Sequence, residues 1–360
     1  MPIVRAETSR AGVFHLLRSL GERIARVRGP GLPFERRPLF QPRHVRDEFQ
    51  LSALCPALLI ALCAGVSLAQ PRSVALTFDD LPIAGSVGAG DAAEAARINH
   101  AILAALARHH APAVAFVIEG GVETIGVAPG RAILREWLEQ GHELGNHTYS
   151  HPDLNTLTVE QFRSEVIRGE ASIGPLAGER GRRVRYLRFP YNHSGETREK
   201  HDAVAASLAD RGYSVAVCTI DNMDWEFARA YSVALDRGDR DTAGKLEAAC
   251  LRYTAEEIDY YSGLHKKIFG REIPHVMLQH ANRLNAALMD KVLELFENRG
   301  YRFVTLETAQ ADAAYRTPDA ISSYGPMWGY RWAKALGIKV DGRLEPVMPA
   351  WVGEYGKAGK

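Results

Sequence analysis

The sequence predicts an α/β fold built on a parallel sheet, and three observations carry that prediction. From Arg72 onward, short apolar runs alternate with longer stretches of helical periodicity. Polar and ionisable residues follow nearly every apolar run, where the strands of a parallel sheet would end. The chain has 360 residues, 46% of them apolar, enough for one large domain with a substantial core. Alternation alone leaves two closures open, a doubly wound sheet or a barrel. The formal net charge of +1 gives no support to nucleic-acid binding, and no long basic run follows the first fifty residues.

The first strand lies in "SVALTFDDLP" (Ser73 to Pro82), where Val74, Leu76 and Phe78 alternate with small residues and Pro82 stops the run. "DAAEAARINHAILAALARHH" follows as a helix with Asp91 near its start. "PAVAFVI" is a strand, and "RAILREWLEQG" a helix closed by Gly141. "HELGNHT" is a short strand end, and "TVEQFRSEVIRGEASIGPL" is a helix. "VRYLRFP" is a strand, "REKHDAVAASLADRG" a helix, and "YSVAVCTID" a strand. Residues Glu226 to Pro274 break the rhythm with a helical insertion rich in charge and tyrosine. "HVMLQHA" resumes as a strand, "LNAALMDKVLELFENRG" as a helix and "YRFVTL" as the last strand. The tail, 314–360, is rich in Tyr, Trp, Pro and Gly and reads as irregular coil packed on the domain formed by 70–313.

The N-terminal region differs from all of this. Residues 1–50 hold ten arginines and no lysine and read as a leader outside the folded domain. "LSALCPALLIALCAGVSLAQ" (Leu51 to Gln70) carries no charge, and Ser67, Leu68 and Ala69 form a small-x-small cleavage pattern. Residues 51–69 are therefore expected to be a signal peptide, giving a periplasmic or secreted chain that begins near Gln70. The same run also suffices for an inner-membrane anchor, the other expectation and the one route to membrane attachment. Cys55 and Cys63 fall inside it, leaving Cys218 and Cys250 either to pair in an oxidising compartment or to stay as separate buried thiols.

The chemistry gathers at strand ends. Asp79 and Asp80 stand side by side where the first strand runs out, and neighbouring strand residues point to opposite faces. One default job for both is therefore not expected. "GNHTYSHPDL" offers His147 and His151, four apart, a spacing that lets two imidazoles share a metal. Pro152 disfavours helix at His151, which places the pair on a loop or irregular turn. "RFPY" supplies Arg188 and Tyr191, "DNMDW" supplies Asp221, Asp224 and Trp225, and "MLQHAN" supplies Leu278 and His280.

In order and spacing, "TFDD", "HTYSH", "RFPY", "DNMDW" and "LQH" resemble the motifs of the polysaccharide deacetylase family, the NodB-homology carbohydrate esterases, over roughly Arg72 to Thr308. That resemblance implies a distorted (β/α) barrel of fewer than eight units and removal of N- or O-linked acetyl groups from an acetylated glycan. It also divides the two aspartates. Asp80 would join His147 and His151 as ligands of one divalent metal, zinc first, with cobalt, nickel or manganese as alternatives. Asp79 would be the general base. Arg188 would hold a catalytic carboxylate, Asp79 before any other, and the Tyr191 N–H would stabilise the oxyanion. His280 would protonate the leaving group, with Asp224 orienting it and favouring its charged form. Trp225 and Leu278 would wall a pocket for the acetyl methyl, and Tyr191 would also border the substrate.

Two features depart from the family pattern: Asn192 stands after "RFPY" where the family commonly has Gly, and the 226–274 insertion exceeds what a minimal catalytic domain needs. Two rival functions are an amide hydrolase of the same barrel acting on a small non-glycan substrate, and a catalytically inactive glycan-binding module.

Overall fold

The computed structural model describes residues 71–85 and 91–357. The arginine-rich leader, the apolar run 51–69 and the cysteines within it lie outside the described residues. Strands and helices alternate from the start: β1 (Ser73–Leu81), α1 (Ala92–Arg108), β2 (Ala113–Val117), α2 (Glu119–Ile125), α3 (Val127–Glu139) and β3 (Glu143–Asn146). There follow α4 (Val159–Arg168), α5 (Ile173–Gly178), β4 (Tyr186–Leu187), α6 (Arg198–Asp210), β5 (Ser214–Val215) and β6 (Ile220–Asp221). The insertion is a helical hairpin, α7 (Asp224–Asp236) and α8 (Arg240–Phe269). The remainder is β7 (His275–His280), α9 (Arg283–Glu297), β8 (Arg302–Phe303), α10 (Leu306–Gln310), α11 (Trp328–Ala335) and α12 (Ala350–Lys357).

Every ladder is parallel, in the order β5-β4-β3-β2-β1-β7-β6, with β8 paired to the start of β1. The two outer strands, β5 and β6, are joined by the four residues 216–219 alone. Five steps of chain reach at most about 18 Å. The edges of a flat seven-strand path would lie about 29 Å apart, at roughly 4.8 Å per gap. The sheet must therefore curl until its edges meet, which is the distorted barrel. Alternation along the strands sorts the core accordingly. Val74, Leu76 and Phe78 of β1 and Ala113, Ala115 and Val117 of β2 pack outward with the helices. Ala75, Val114, Phe116, Tyr186, Ala216 and Val276 form a separate interior cluster. Thr77 and Asp79 have the parity of Ala75 and so line the interior.

Three expectations change. "YSVAVCTID" is not one strand, because closing the barrel splits it between the two edges as β5 and β6. "TVEQFRSEVIRGEASIGPL" is two helices, α4 and α5, with Gly169 capping the first. The tail is coil only in part, for α11 and α12 lie within it. Trp328 and Trp332, one helical turn apart on α11, are buried, and Trp332 lies edge-on to His265, Phe269 and Tyr315 at 5.3–5.8 Å between ring centres. Cys218 and Cys250 are both buried and unpaired. Among the described residues no helix is long and apolar enough to cross a membrane.

Candidate active site

A one-residue bulge brings Asp79 and Asp80 to the same site. Along β1 and β2 the pairing steps from Phe78–Ala115 to Leu81–Val117, three residues on one strand against two on the other. Asp80 takes a left-handed backbone, φ 63°. That conformation costs a non-glycine residue roughly 1–3 kcal/mol, so the surroundings must hold it. Strict alternation would turn Asp80 away from Asp79, and the bulge cancels that turn.

His147 follows directly on β3, and His151 comes from an irregular turn at φ 57°, as Pro152 leads one to expect. Asp80 Oδ1 lies 3.5 Å from His147 Nε2 and 3.6 Å from His151 Nε2, and one candidate ligand atom from each residue falls within 4.8 Å of the others. His147 Nδ1 is 2.8 Å from the Arg188 carbonyl oxygen. A carbonyl only accepts, so Nδ1 carries the proton and Nε2 presents a lone pair. Burial first, then the neighbouring His151, holds the His147 imidazole well below its ordinary range, hence neutral. Asp80 Oδ1 is itself buried with no hydrogen-bond partner. A buried carboxylate oxygen without a hydrogen-bond partner, facing the lone pair of His147 Nε2, is costly unless a cation lies beside it. The donor set, two imidazole nitrogens and one carboxylate, fits a divalent metal.

Asp79, with 4% of its surface exposed, faces the same point from the barrel interior. Both its oxygens are 3.4 Å from Arg188 Nη1. The Arg188 guanidinium is wholly buried, held by the Ala216 carbonyl at 2.6 Å and the Thr77 hydroxyl at 3.0 Å, over the Phe116 ring. Burial pushes the Asp79 carboxyl up, and the Arg188 charge opposes that push.

Across the site, His280 ends β7, opposite Asp79 in the β1–β7 register. Its Nδ1 lies 2.7 Å from Asp224 Oδ1. Asp224, the first residue of α7, also accepts from the His280 N–H and from the amides of Asn282 and Asn285 through Oδ2. Burial pushes the His280 imidazole down. The Asp224 charge and hydrogen bond, with Asp80 and Asp79 behind them, outweigh it and raise it to about 10. Asp221, on β6 beside β7, is half-buried, and desolvation pushes its carboxyl up to about 6.

Tyr191 sits in a tight turn over the cluster, its ring edge-on to His151 at 4.7 Å and 58% exposed. Leu278 is buried on β7 between Thr77 and Asp221 in the register, while Trp225 is 43% exposed at the start of α7.

Residues 68–216 match the polysaccharide deacetylase family model. Over this stretch the chain is similar to the polysaccharide deacetylase family. The chain is 24% identical over 239 residues to a peptidoglycan-N-acetylglucosamine deacetylase of Bacillus cereus, covering 65% of this chain and 66% of that protein. It is also 24% identical over 246 residues to a chitin deacetylase of Colletotrichum lindemuthianum, covering 68% and 82%. A solved family 4 carbohydrate esterase from Streptomyces lividans, in complex with acetate, aligns at 19% identity and TM-score 0.42 over 66% of this chain and 95% of that one. The chain spans less than two thirds of the length of the first peptidoglycan deacetylases it matches.

Polysaccharide deacetylases are metal-dependent, and among the described residues Asp80, His147 and His151 are the group able to hold a metal. The matched stretch of the deacetylase domain ends before Asp224 and His280, so the structure, not the family match, brings those two to the site. Sequence reasoning missed four supports. Thr77 and the Ala216 carbonyl fix Arg188, and Asn282 and Asn285 fix Asp224. Thr77 carried a usable signal, being a polar residue at an interior position of a buried strand.

Proposed function

We propose that this chain is a metal-dependent hydrolase that removes acetyl groups from a glycan built on N-acetylglucosamine. One observation carries the reading: a cluster of metal-ligand atoms, with the buried Asp80 Oδ1 unpartnered among them, lies between an arginine-bound aspartate and an aspartate-bound histidine. The printed activities of the Bacillus and Colletotrichum relatives support the substrate class.

Asp80, His147 and His151 would hold the metal, with zinc the first expectation from a two-histidine, one-carboxylate set. When bound, such a metal polarises the acetyl carbonyl and lowers the pKa of water from about 15.7 toward about 7. Asp79, oriented by Arg188, takes a proton from the attacking water. The Tyr191 N–H donates to the oxyanion as the carbonyl carbon becomes tetrahedral. His280, already charged through Asp224, then gives its Nε2 proton to the leaving nitrogen, releasing amine and acetate. Trp225 and Leu278 wall the acetyl methyl. An envelope glycan as substrate is consistent with export through residues 51–69, whether these are removed or kept as an anchor.

Acetate release from N-acetylated chito-oligosaccharides, with and without chelator, tests the reading. Release that stops on chelation and returns with zinc is expected. Hydrolysis of small acylated amines alone would favour the non-glycan amide hydrolase, and no hydrolysis of either would favour the binding module.

A further inference from the structure

The turn that carries Tyr191 is strained and is held from outside. Tyr191 and Asn192 are consecutive non-glycine residues, both left-handed at φ 57°. Two local hydrogen bonds close the turn, from the Asn192 N–H to the Phe189 carbonyl and from the His193 N–H to the Pro190 carbonyl, both at 3.1 Å, yet the left-handed tyrosine still loses ordinary side-chain clearance. The segment that meets this turn is the C-terminal one, beyond the stretch matched to the family. Gly325 lies so close that a Cβ on it would fall 1.8 Å from the Tyr191 carbonyl oxygen. Arg331, on α11 and 98% buried, donates from Nη2 to the Asn192 carbonyl. Its Nη1 donates to the Ser194 hydroxyl at 2.8 Å and to Asp319 at 3.0 Å, and its Nε to the Pro326 carbonyl at 2.9 Å. The guanidinium rests 4.2 Å from the centre of the Trp328 ring. From the barrel side, Cys218 Sγ donates to Asn192 Oδ1.

We infer that Arg331 is a positioning residue for the deacetylation step, holding the 190–194 turn so that the Tyr191 N–H faces the developing oxyanion. The inference rests on the proposed role of Tyr191. An arginine that only anchored the tail would need no contact with the turn. Instead its contacts reach the residue after Tyr191, while Gly325 backs Tyr191 itself. The closed contact fixes the peptide from both sides, and the planar guanidinium supplies the fork that holds several acceptors together.

The test uses the metal-loaded full-length protein and the variants Arg331→Met, Arg331→Lys and Gly325→Ala. Four quantities are read: kcat and KM on an N-acetylated chito-oligosaccharide, bound zinc per chain, and amide hydrogen exchange of a peptide covering 189–194. Misplacing a single oxyanion donor predicts that kcat falls about 10- to 100-fold in Arg331→Met, with KM changed by less than about twofold. Zinc content should stay at the wild-type level and exchange in 189–194 should quicken. Arg331→Lys, which keeps the charge but loses the fork, should fall between the two. If Arg331→Met fails to fold, Gly325→Ala decides, because its added methyl displaces the turn without removing a polar contact. An unchanged kcat, or a loss of zinc in step with kcat, would overturn the inference. A wild type that releases no acetate contradicts the deacetylase reading instead. Exchange then judges the clamp alone, and unchanged exchange in 189–194 overturns it.

Discussion

On one flank of the site Asp224 accepts four hydrogen bonds, two from His280 and one each from Asn282 and Asn285. On the other, Asp80 Oδ1 is buried with none, facing two imidazole nitrogens. The polypeptide completes the first flank by itself. A hydrogen-bonded carboxylate of that kind is preorganised and keeps its histidine charged without outside help. The second is complete only with a positive charge among its acceptors. In the proposed reaction, the contrast would give its two halves different dependences, proton delivery from the chain and water activation from chain plus metal.

The largest expected effect attacks the incomplete flank. His151→Ala removes one of three protein ligands and should abolish both zinc binding and turnover, measured by metal content and acetate release. Stoichiometric zinc in that variant would break the comparison at its base. Next, Asp79→Asn should lower kcat by about 10²- to 10⁴-fold while zinc remains, since it would remove the proposed base and not a proposed ligand.

Asp224→Asn sharpens the complete flank. The native His280 imidazole is held up to about 10, so its acid form persists across the neutral range. Losing the Asp224 charge lowers that value, so the alkaline limb of kcat/KM should move to lower pH with zinc content unchanged. A limb that stays in place would detach Asp224 from His280.

A smaller effect concerns a buried carboxyl that has neither solution. Glu257 of α8 is 1% exposed, and neither oxygen makes a well-formed hydrogen bond. Burial pushes it from 4.5 to about 8, with the Tyr253 hydroxyl opposing and the Glu345 and Asp221 charges adding to the rise. The folded value exceeds the unfolded one, so the neutral carboxyl supports the fold fully below about pH 4.5. That support is lost as pH rises through 8. Glu257→Gln should flatten the decline in melting temperature over that window, by on the order of a few degrees. Equal declines in both proteins would show Glu257 to be ionised in the fold.

The parts of this site legible in the sequence were those that sit where strands stop. Asp79, Asp80, His147, Arg188 and His280 each end or follow a strand, and a parallel barrel brings such positions together. What stayed hidden depends on distant contacts. The bulge that turns Asp80 toward Asp79 exists only in the pairing of β1 with β2. The division of "YSVAVCTID" between two edges follows from closure of the whole sheet. Asn282 and Asn285 look like ordinary helix-start residues, and Asn282 does cap α9, until Asp224 arrives from a segment about sixty residues earlier. Trp328 and Trp332 carried a helical spacing inside the tail. Pro and Gly around them masked it, and the burial that decides the matter comes from α8.

The most direct test of the divided roles of Asp79 and Asp80 is a zinc titration of Asp79→Asn and Asp80→Asn, reading bound metal and rate together. Asp79→Asn should bind zinc like the wild type and stay slow at every concentration. Asp80→Asn should bind weakly and recover part of its rate as zinc is added. Rescue of Asp79→Asn by zinc, or equal loss of metal in both, would contradict the division of labour between the two aspartates.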